Sequence, residues 1–426
     1  MAELTRRSFF QGAVYAAAAT RVLGANDRVQ MGIIGLGGRG TAHLKEYLGL
    51  PEARVIALCD VNQAAREKAQ ASVGKAGQSK AAEYGDMRAL FDDKNVDAVS
   101  TATPNHWHAL TTIWACTAGK DVYVEKPACH NIYEGQRMID TARQYNRMVQ
   151  VGSQGRSVPH KIKAVQLLNE GVIGKVYLSK GFCYKRRKSI GKTPAEPVPA
   201  GVDWDMFLGP APMRPFTMNR FKYNWHWFWD TGNGDIGNQG VHEMDIARWG
   251  LGVTWPKSVV CTGGKYIYDD DQETPNTQLA SFDYGDKELQ FEVRGILTAP
   301  DGGLPVKAGN TVGNLFLGAD GWMWLDGDRF TVYKGEGNEK VMEEKSQEED
   351  DTKLHMKNFL EAVKSRNRQS LHAEIEIGAM SADLCHLTNI SYRVGRKLAL
   401  DGKGKFVDDA EANKMLTRDY RKPYVV

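Results

Sequence analysis

The glycine run at residues 35–40 constrains the fold of this chain more than any other feature. Residues 28–34 have the pattern of a buried strand, residues 41–48 have helical periodicity, and between them stands Gly35-Leu36-Gly37-Gly38-Arg39-Gly40. In this context the first glycine permits a tight turn, the second lets the backbone approach a pyrophosphate, and the third allows close packing of helix on strand. The start of the helix then offers free N–H groups to the phosphates. The pattern predicts a dinucleotide-binding unit.

An acidic residue follows the next predicted strand. Residues 54–59 form that strand, and Asp60 comes directly after it. A carboxylate at this place accepts hydrogen bonds from both hydroxyls of a ribose and repels a 2′-phosphate. The cofactor is therefore expected to be NAD rather than NADP, with Arg39 able to soften the repulsion. The alternative is that Asp60 only caps a helix over residues 63–71.

Strand and helix patterns continue to alternate up to residue 152. Strands are predicted over 97–102, 121–124 and 148–152, and helices reach residues 118 and 145. This rhythm is typical of a doubly wound α/β domain, which binds ligands at the carboxyl ends of its strands. Thr103, Pro104 and Asn105 follow one such end, and Glu125-Lys126-Pro127 follows another. His108, on the helix after Pro104, either contacts the cofactor or packs inside the domain.

The second half of the chain has a different pattern. Strands are predicted over 175–184, 257–266, 277–284, 288–296 and 313–317, and their polar–apolar alternation suits a sheet covered on one face. Helices over 355–365 and 378–397 are expected to close this domain, and the acidic run from Glu343 is expected to be a solvated linker. The predicted division is a nucleotide-binding domain over 26–152 and an α+β domain for substrate binding and oligomerisation over 153–426.

The first 25 residues have the pattern of an export signal. Thr5-Arg6-Arg7-Ser8-Phe9-Phe10 precedes a run of small residues, and Ala25 is a plausible cleavage point. The segment resembles a twin-arginine leader, which predicts a periplasmic or otherwise exported protein. The alternative is a short amphipathic helix on a cytoplasmic protein. No run of about 18 apolar residues follows, so no membrane span is predicted.

Charge and cysteine spacing exclude several classes of protein. The formal net charge is +3 and the basic residues are scattered, which argues against nucleic acid as a partner. The six cysteines form no CxxC pair, so we expect neither a disulfide framework nor a metal site, only small buried thiols.

The glycine loop, Asp60 and the segments at residues 103–105 and 125–127 resemble those of the Gfo/Idh/MocA oxidoreductases, which include glucose–fructose oxidoreductase and inositol dehydrogenase. The later segment Gly240-Val241-His242-Glu243-Met244-Asp245 adds to this resemblance. The resemblance implies an open, mostly antiparallel sheet as the second domain, and with it a homodimer or homotetramer. It also implies that Lys126 and His242 flank the reacting carbon. Lys126 would polarise the substrate oxygen, and His242 would act as general base and acid.

One position departs from the family pattern. The family usually has an aspartate four residues before this histidine, as its partner in proton relay, whereas this chain has Asn238. An amide cannot take up a proton and could only orient a hydroxyl. The departure weakens the case for ordinary inositol-dehydrogenase chemistry.

Aromatic and charged residues of the second domain are the candidates for substrate binding. Trp225 and Trp227 alternate, so they could share a face and stack on a pyranose, although tryptophan clusters are also common in domain cores. Arg186 belongs to a basic run that either meets the substrate or is a solvated loop. The predicted substrate-binding residues are Tyr184, Arg186, Tyr223, Trp225, Trp227 and Asp235.

Three functions remain open. The first is an NAD-dependent oxidoreductase acting on a hydroxyl of a sugar, glycoside or sugar derivative, with tightly bound and recycled cofactor because free NAD is scarce after export. The second, found in some relatives, is a redox-neutral glycosidase that oxidises, eliminates, hydrates and reduces. The third is an NAD-binding sensor without turnover, against which the presence of both Lys126 and His242 argues.

Overall fold

The computed structural model describes residues 27–296, 305–307, 309–347 and 351–426. The predicted leader, 1–25, lies outside the described residues. Within them, no helix is both long and apolar enough to cross a bilayer. All six cysteines are buried and unpaired, which confirms the prediction of small buried thiols.

The first domain is built on a six-stranded sheet in which every neighbouring pair is parallel. Its spatial order is β3-β2-β1-β4-β5-β6, so the predicted doubly wound sheet is confirmed. The strands are β1 (Val29–Ile34), β2 (Ala53–Cys59), β3 (Ala82–Tyr84), β4 (Ala98–Thr101), β5 (Asp121–Val124) and β6 (Val149–Val151). Only β3 has no counterpart among the predicted strands, because its three residues are not an apolar run.

Helices connect these strands across both faces of the sheet. They are α1 (Gly38–Gly49), α2 (Gln63–Lys75), α3 (Met87–Asp92), α4 (His108–Thr117) and α5 (Ile132–Gln144). Asn62 caps α2, since its side chain accepts a hydrogen bond from Ala64 N, whereas no side chain caps the start of α1 at Gly37. The first N–H groups of α1 are therefore left for a ligand.

The second domain is built on a nine-stranded open sheet in the order β14-β13-β12-β11-β7-β10-β9-β8-β15. Only β7 and β10 pair in parallel, so the expected mostly antiparallel sheet is confirmed. The strands are β7 (Val176–Tyr184), β8 (Ser258–Gly264), β9 (Thr277–Asp283), β10 (Glu288–Arg294), β11 (Thr311–Gly318), β12 (Gly321–Leu325), β13 (Arg329–Lys334), β14 (Glu339–Lys345) and β15 (Leu398–Ala399).

Helices cover one face of this sheet and bury its apolar side chains. The helices of this half of the chain, not all of which lie on this sheet, are α6 (Pro159–Asn169), α7 (Trp204–Leu208), α8 (Met218–Phe221), α9 (Val241–Leu251), α10 (Asp351–Ser365), α11 (Ile375–Val394) and α12 (Ala410–Lys414). Side chains of α6, α9 and α11 share one core with β7–β13. Burial alternates along β10, as a sheet covered on one face requires.

Two expectations about the end of the chain are wrong. Helix α10 does not close the second domain, because Met356, Phe359 and Leu360 pack in the core of the parallel sheet. The ring of Phe359 lies 5.9 Å from that of Tyr123 on β5. The acidic run does not begin as a linker, because Glu343 lies in the edge strand β14. Residues 348–350 of that run lie outside the described residues.

Candidate active site

A cavity of about 780 Å³ opens where the strands of the parallel sheet end. The glycine loop and the loops after β2, β4 and β5 form its wall, and residues 221–226 and Asn238 close one end. The predicted cofactor-binding residues in this wall are Gly35, Gly37, Gly38, Arg39, Asp60, Thr103, Pro104, Asn105, His108, Glu125 and Lys126. Leu36 and Gly40 belong to the same loop but are buried behind the wall.

The glycines of the loop serve different purposes. Gly35 has a φ of +77°, and a Cβ on Gly40 would lie 1.6 Å from the carbonyl oxygen of Gly35. The fold itself therefore requires glycine at both positions. An ideal Cβ on Gly37, by contrast, would have nothing within 4 Å. This open space, beside the uncapped start of α1, fits the pyrophosphate of a dinucleotide.

Asp60 is held by backbone amides. Its carboxylate accepts hydrogen bonds from Leu36 N at 2.6 Å and from Asn62 N at 2.8 Å, and burial raises its pKa. A carboxylate has about four lone-pair sites, so it keeps capacity for ribose hydroxyls. The reading of Asp60 as only a helix cap is wrong, because Asn62 caps α2. Arg39 pairs with Glu125 instead of approaching Asp60.

The carboxylate of Glu125 is fixed by three side-chain donors. Its Oε1 lies 2.7 Å from Arg39 Nε, 2.9 Å from His43 Nε2 and 3.2 Å from Gln154 Nε2. Burial alone would raise its pKa, but the charge of Arg39 and the contact with His43 hold the pKa well below its usual range. Glu125 thus places a permanent negative charge next to Lys126.

The ammonium of Lys126 ends a chain of polar contacts. Its Nζ donates to the main-chain carbonyl oxygen of Asn238 at 2.6 Å. The amide of Asn238 donates to the hydroxyl of Tyr223 at 2.9 Å, and Arg187 donates to the same hydroxyl at 3.3 Å. Arg187 is held in turn by Asp235, with contacts of 2.6 and 3.0 Å. Burial lowers the pKa of Lys126 below its ordinary value.

A second, polar cavity of about 330 Å³ lies on the other side of Lys126. Lys126 and Arg39 line both cavities. His242, the second residue of α9, lines only the polar one. Other polar groups in this wall are Ser153, Gln154, Lys161, Gln239, Glu243, Asp245, Asp351 and Thr352.

The ring of His242 is free for chemistry, since it makes no hydrogen bond with any described residue. Burial, together with the charge of Lys126, lowers its pKa to about 3. The imidazole is therefore neutral at pH 7, with a lone pair on one ring nitrogen, and a role in proton transfer requires that bound substrate raise this low pKa.

Glu243 was not among the residues predicted from the sequence. It is 8% exposed, its Oε1 accepts a bond from Gln239 Nε2 at 3.4 Å, and its buried Oε2 has no partner. Burial raises its pKa to about 7. It follows His242 in the segment that carries the family resemblance, but an acid in the first turn of a helix is ordinary, so no role was assigned to it from the sequence.

Two of the predicted substrate-binding residues line the larger cavity. Tyr223 and Trp225 do so together with His226, whose ring stacks on Trp225 at 3.6 Å. Tyr223–Trp227 is a 3₁₀ turn rather than a strand, so its tryptophans do not share a face by alternation. Trp227 is buried beside Arg187, whose guanidinium lies 5.5 Å from the ring.

Three predicted substrate-binding residues lie outside both cavities, whereas His108 lies in the wall of the larger one. Tyr184 is buried and donates to Glu292 at 2.5 Å, and Arg186 is exposed; neither lines either cavity. Asp235 also lies outside both cavities, as the partner of Arg187. The ring nitrogens of His108 lie 2.7 and 2.8 Å from the carbonyl oxygens of Pro127 and Thr103, so its ring joins the two loops.

A parallel dinucleotide-binding domain, joined to a mostly antiparallel sheet with a lysine and a free histidine beside the cavity, defines a nicotinamide-dependent oxidoreductase. Comparison with known families gives the same class. The model "Oxidoreductase family, NAD-binding Rossmann fold" matches residues 29–153, and "Oxidoreductase family, C-terminal alpha/beta domain" matches 151–270 and 318–426. The chain belongs to the Gfo/Idh/MocA oxidoreductase family.

Similar proteins carry sugar-related names. A "Glycosyl hydrolase family 109 protein" of Saccharopolyspora erythraea is 31% identical over 162 residues, which are 37% of this chain and 35% of the relative. The chain thus matches only about a third of that relative's length. A levoglucosan dehydrogenase in complex with NADH and levoglucosan has a TM-score of 0.67 and 17% identity, over 88% of this chain and 100% of that one. An aldose-aldose oxidoreductase from Caulobacter crescentus, complexed with glycerol, has a TM-score of 0.65 and 18% identity, over the same shares.

Proposed function

We propose that this protein oxidises a hydroxyl group of a sugar, glycoside or sugar derivative, with NAD bound in the larger cavity. The observation that carries the proposal is the position of Lys126. Its ammonium is fixed by the carbonyl oxygen of Asn238 on the wall common to both cavities, and His242 faces the polar cavity with a free ring. The names of the sugar-binding structural neighbours support the substrate class.

Each group has a definite task in this proposal. An ammonium has three N–H donors, so Lys126 keeps two for the substrate oxygen after bonding to Asn238. It stabilises negative charge that develops on that oxygen. Neutral His242 accepts the hydroxyl proton and returns it in the reverse direction. The nicotinamide, when bound, supplies the hydride acceptor.

Tyr223 takes part in place of the family's aspartate. Its hydroxyl oxygen accepts bonds from Asn238 and Arg187, and no described residue accepts its proton. The side chain is 52% exposed and lines the larger cavity. In our proposal this proton is donated to a substrate hydroxyl. Tyr223 therefore orients the substrate, while proton transfer is left to His242.

We further propose that the cofactor is NAD, retained and recycled in an exported homo-oligomer. Asp60, at the end of β2, disfavours the 2′-phosphate of NADP, and Arg39 is already paired with Glu125. Titration of the purified protein with NADH and NADPH tests the first point, and NADPH binding at least as tightly contradicts it. Cell fractionation, together with determination of the N-terminal residue of the mature protein, tests export. Light scattering measures the mass of the particle in solution and tests the homo-oligomer.

A redox-neutral glycosidase is the second candidate. It is favoured by the match to a glycosyl hydrolase family 109 protein and by Glu243, a buried acid facing the polar cavity. An elimination step needs a group that can protonate the departing oxygen, and an acid with a pKa near 7 is suited to that task.

One experiment separates these candidates. The protein is purified without added cofactor, denatured, and its supernatant is assayed for NAD(H); the native protein is then offered nitrophenyl glycosides and free sugars, with and without NAD. Bound cofactor with product but no net NADH supports recycling, and aglycone release selects the glycosidase. Turnover only with added NAD contradicts recycling and leaves a conventional dehydrogenase. Binding of NADH without any turnover selects the sensor.

A further inference from the structure

Three chemically reactive side chains meet in the core between the two domains. Cys129 lies in the loop after β5, while Asp383 and His386 are three residues apart on α11 and so share one helix face. All are buried, with exposures of 0%, 6% and 4%. One thiol, one carboxylate and one imidazole atom from them lie within 4.8 Å of one another.

The carboxyl group in this cluster lacks a partner. The Oδ1 atom of Asp383 is buried without any hydrogen bond. The positive charge that acts on Asp383 is that of Arg248. The guanidinium of Arg248, however, donates its hydrogen bonds to Ser381 and to the carbonyl oxygens of Val253 and Ile377. A buried polar atom of this kind requires an explanation, and an absent ion is one of the usual ones.

We propose that Cys129, Asp383 and His386 bind a divalent metal ion of the zinc class. Zinc takes Cys, His and Asp ligands in tetrahedral geometry, with Zn–S about 2.3 Å and Zn–N about 2.0 Å, and a water would be the fourth ligand beside these three. Those lengths place sulfur and nitrogen about 3.5 Å apart in a tetrahedron. The Sγ of Cys129 lies 3.5 Å from Nε2 of His386.

The charges and the close packing of the cluster agree with such an ion. One thiolate and one carboxylate neutralise a divalent cation, so the complete site would carry no net charge in the core. The α-carbon of Gly135 on α5 faces the same atoms, and a Cβ there would lie 3.1 Å from the sulfur of Cys129 and 3.6 Å from Oδ1 of Asp383. The backbone of Gly135 thus packs closely against two of the ligands, and a larger residue there would push them apart.

The position of the cluster indicates a structural role. None of the three residues lines either cavity, but Cys129 is three residues after Lys126. On α11, the thiol of Cys385 donates to the carbonyl oxygen of Ile236, and Asn389 donates to that of Asn233. The metal would therefore join the loop that carries Lys126 to the helix that supports the turn before His242.

The competing account has no metal. The thiol of Cys129 would donate a hydrogen bond to His386, and Asp383 would stay protonated, since burial raises the pKa of both acids. The two accounts differ in a measurable way, because metal binding requires thiolate and carboxylate and releases their protons.

The test uses the full-length protein, stripped with a chelator and reloaded with ZnCl₂ or CoCl₂. We expect about one zinc per chain by elemental analysis, and for cobalt the near-ultraviolet thiolate band and the intense visible bands of a tetrahedral site. Cys129→Ala and His386→Gln should lose the metal. Cys116→Ala, which removes a buried thiol outside the cluster, should keep it.

Asp383→Asn separates the accounts even if the other variants fold poorly. An amide resembles a protonated carboxyl in shape and charge, so without a metal the variant should have an unchanged or higher Tm. With a metal, it should bind zinc at least tenfold more weakly and lose the rise in Tm that zinc gives the parent protein. The proposal is overturned if the reloaded parent holds no zinc, shows no cobalt–thiolate band and has the same Tm with chelator and with zinc.

Discussion

The two cavities that meet at Lys126 are assembled in opposite ways. The larger one is formed chiefly by short segments that follow the strands of a parallel sheet, so its wall can be read in sequence order from residue 34 to 126. The polar one combines residues from both domains and from α10, which lies more than 220 positions after Lys126. The difference teaches that a cavity built from strand-end loops follows from local motifs, whereas a cavity built from both domains depends on how distant helices pack.

The largest expected effect tests whether the cavities have separate tasks. His242→Asn should lower kcat about 10²–10⁴-fold, the usual contribution of a general base, while the affinity for NADH stays unchanged. His242 lines only the polar cavity, whereas His226 lines only the larger one. His226→Asn should therefore weaken NADH binding instead. Steady-state kinetics and NADH fluorescence titration measure both, and equal loss of NADH binding in the two variants breaks the comparison.

Replacing Lys126, which lines both cavities, should change both kcat and the affinity for NADH. Lys126→Met removes the donor to the substrate oxygen and should lower kcat about 10²–10³-fold. Because Lys126 lines both cavities, the Kd for NADH should change as well. Lys188→Met, on an exposed loop residue, serves as the control in the same assays. A normal kcat in Lys126→Met would remove the basis of the proposed function.

Two glycines of one loop should respond differently. Gly40→Ala places a methyl group against the carbonyl oxygen of Gly35 and should lower the free energy of unfolding by about 1–3 kcal/mol. Gly37→Ala meets no atom of the protein, so its Tm should be unchanged while NADH binding weakens by about tenfold. Urea unfolding and NADH titration check the pair. Equal destabilisation of both variants contradicts the assigned division of roles.

The smallest effect concerns the pH dependence of stability. Burial raises the pKa of Glu243 to about 7 from its ordinary 4.5, so the folded state holds this proton more tightly than the unfolded state does. The resulting stability is fully present below the unfolded pKa and is lost as the pH rises through 7. Between pH 6 and 8 the loss should be about 1 kcal/mol. Glu243→Gln should remove this part of the slope in urea unfolding, and an unchanged slope would show that Glu243 is ionised throughout.

Sequence patterns identified every strand of the parallel sheet except β3, because those strands are mainly apolar runs that end in recognisable loops. They did not identify β13 and β14, since Arg329–Lys334 and Glu339–Lys345 are short and partly charged, nor β12, which has only five residues. Likewise the family resemblance pointed to Lys126 and His242. Glu243 and Lys161 carry no local pattern, because only the packing of α6 against α9 brings them to one cavity.

The proposed metal site is a clearer example of residues that only the fold brings together. Cys129 is separated by more than 250 positions from the two residues of α11. Spacing rules for metal sites read ligands that are close in sequence, so they do not detect a site whose halves lie in different domains. The charge run at Glu343 misled in another way, since charged residues also protect the edge strand of an open sheet.

Because Lys126 and Arg39 border both cavities, our proposal predicts that the occupants of the two cavities are thermodynamically linked. A molecule that draws the ammonium of Lys126 toward one side changes the electrostatic potential on the other. Reciprocity then requires that if bound NAD strengthens the binding of substrate by some factor, bound substrate strengthens the retention of NAD by the same factor. In a compartment poor in nucleotide, the protein would hold its cofactor most firmly while it is at work.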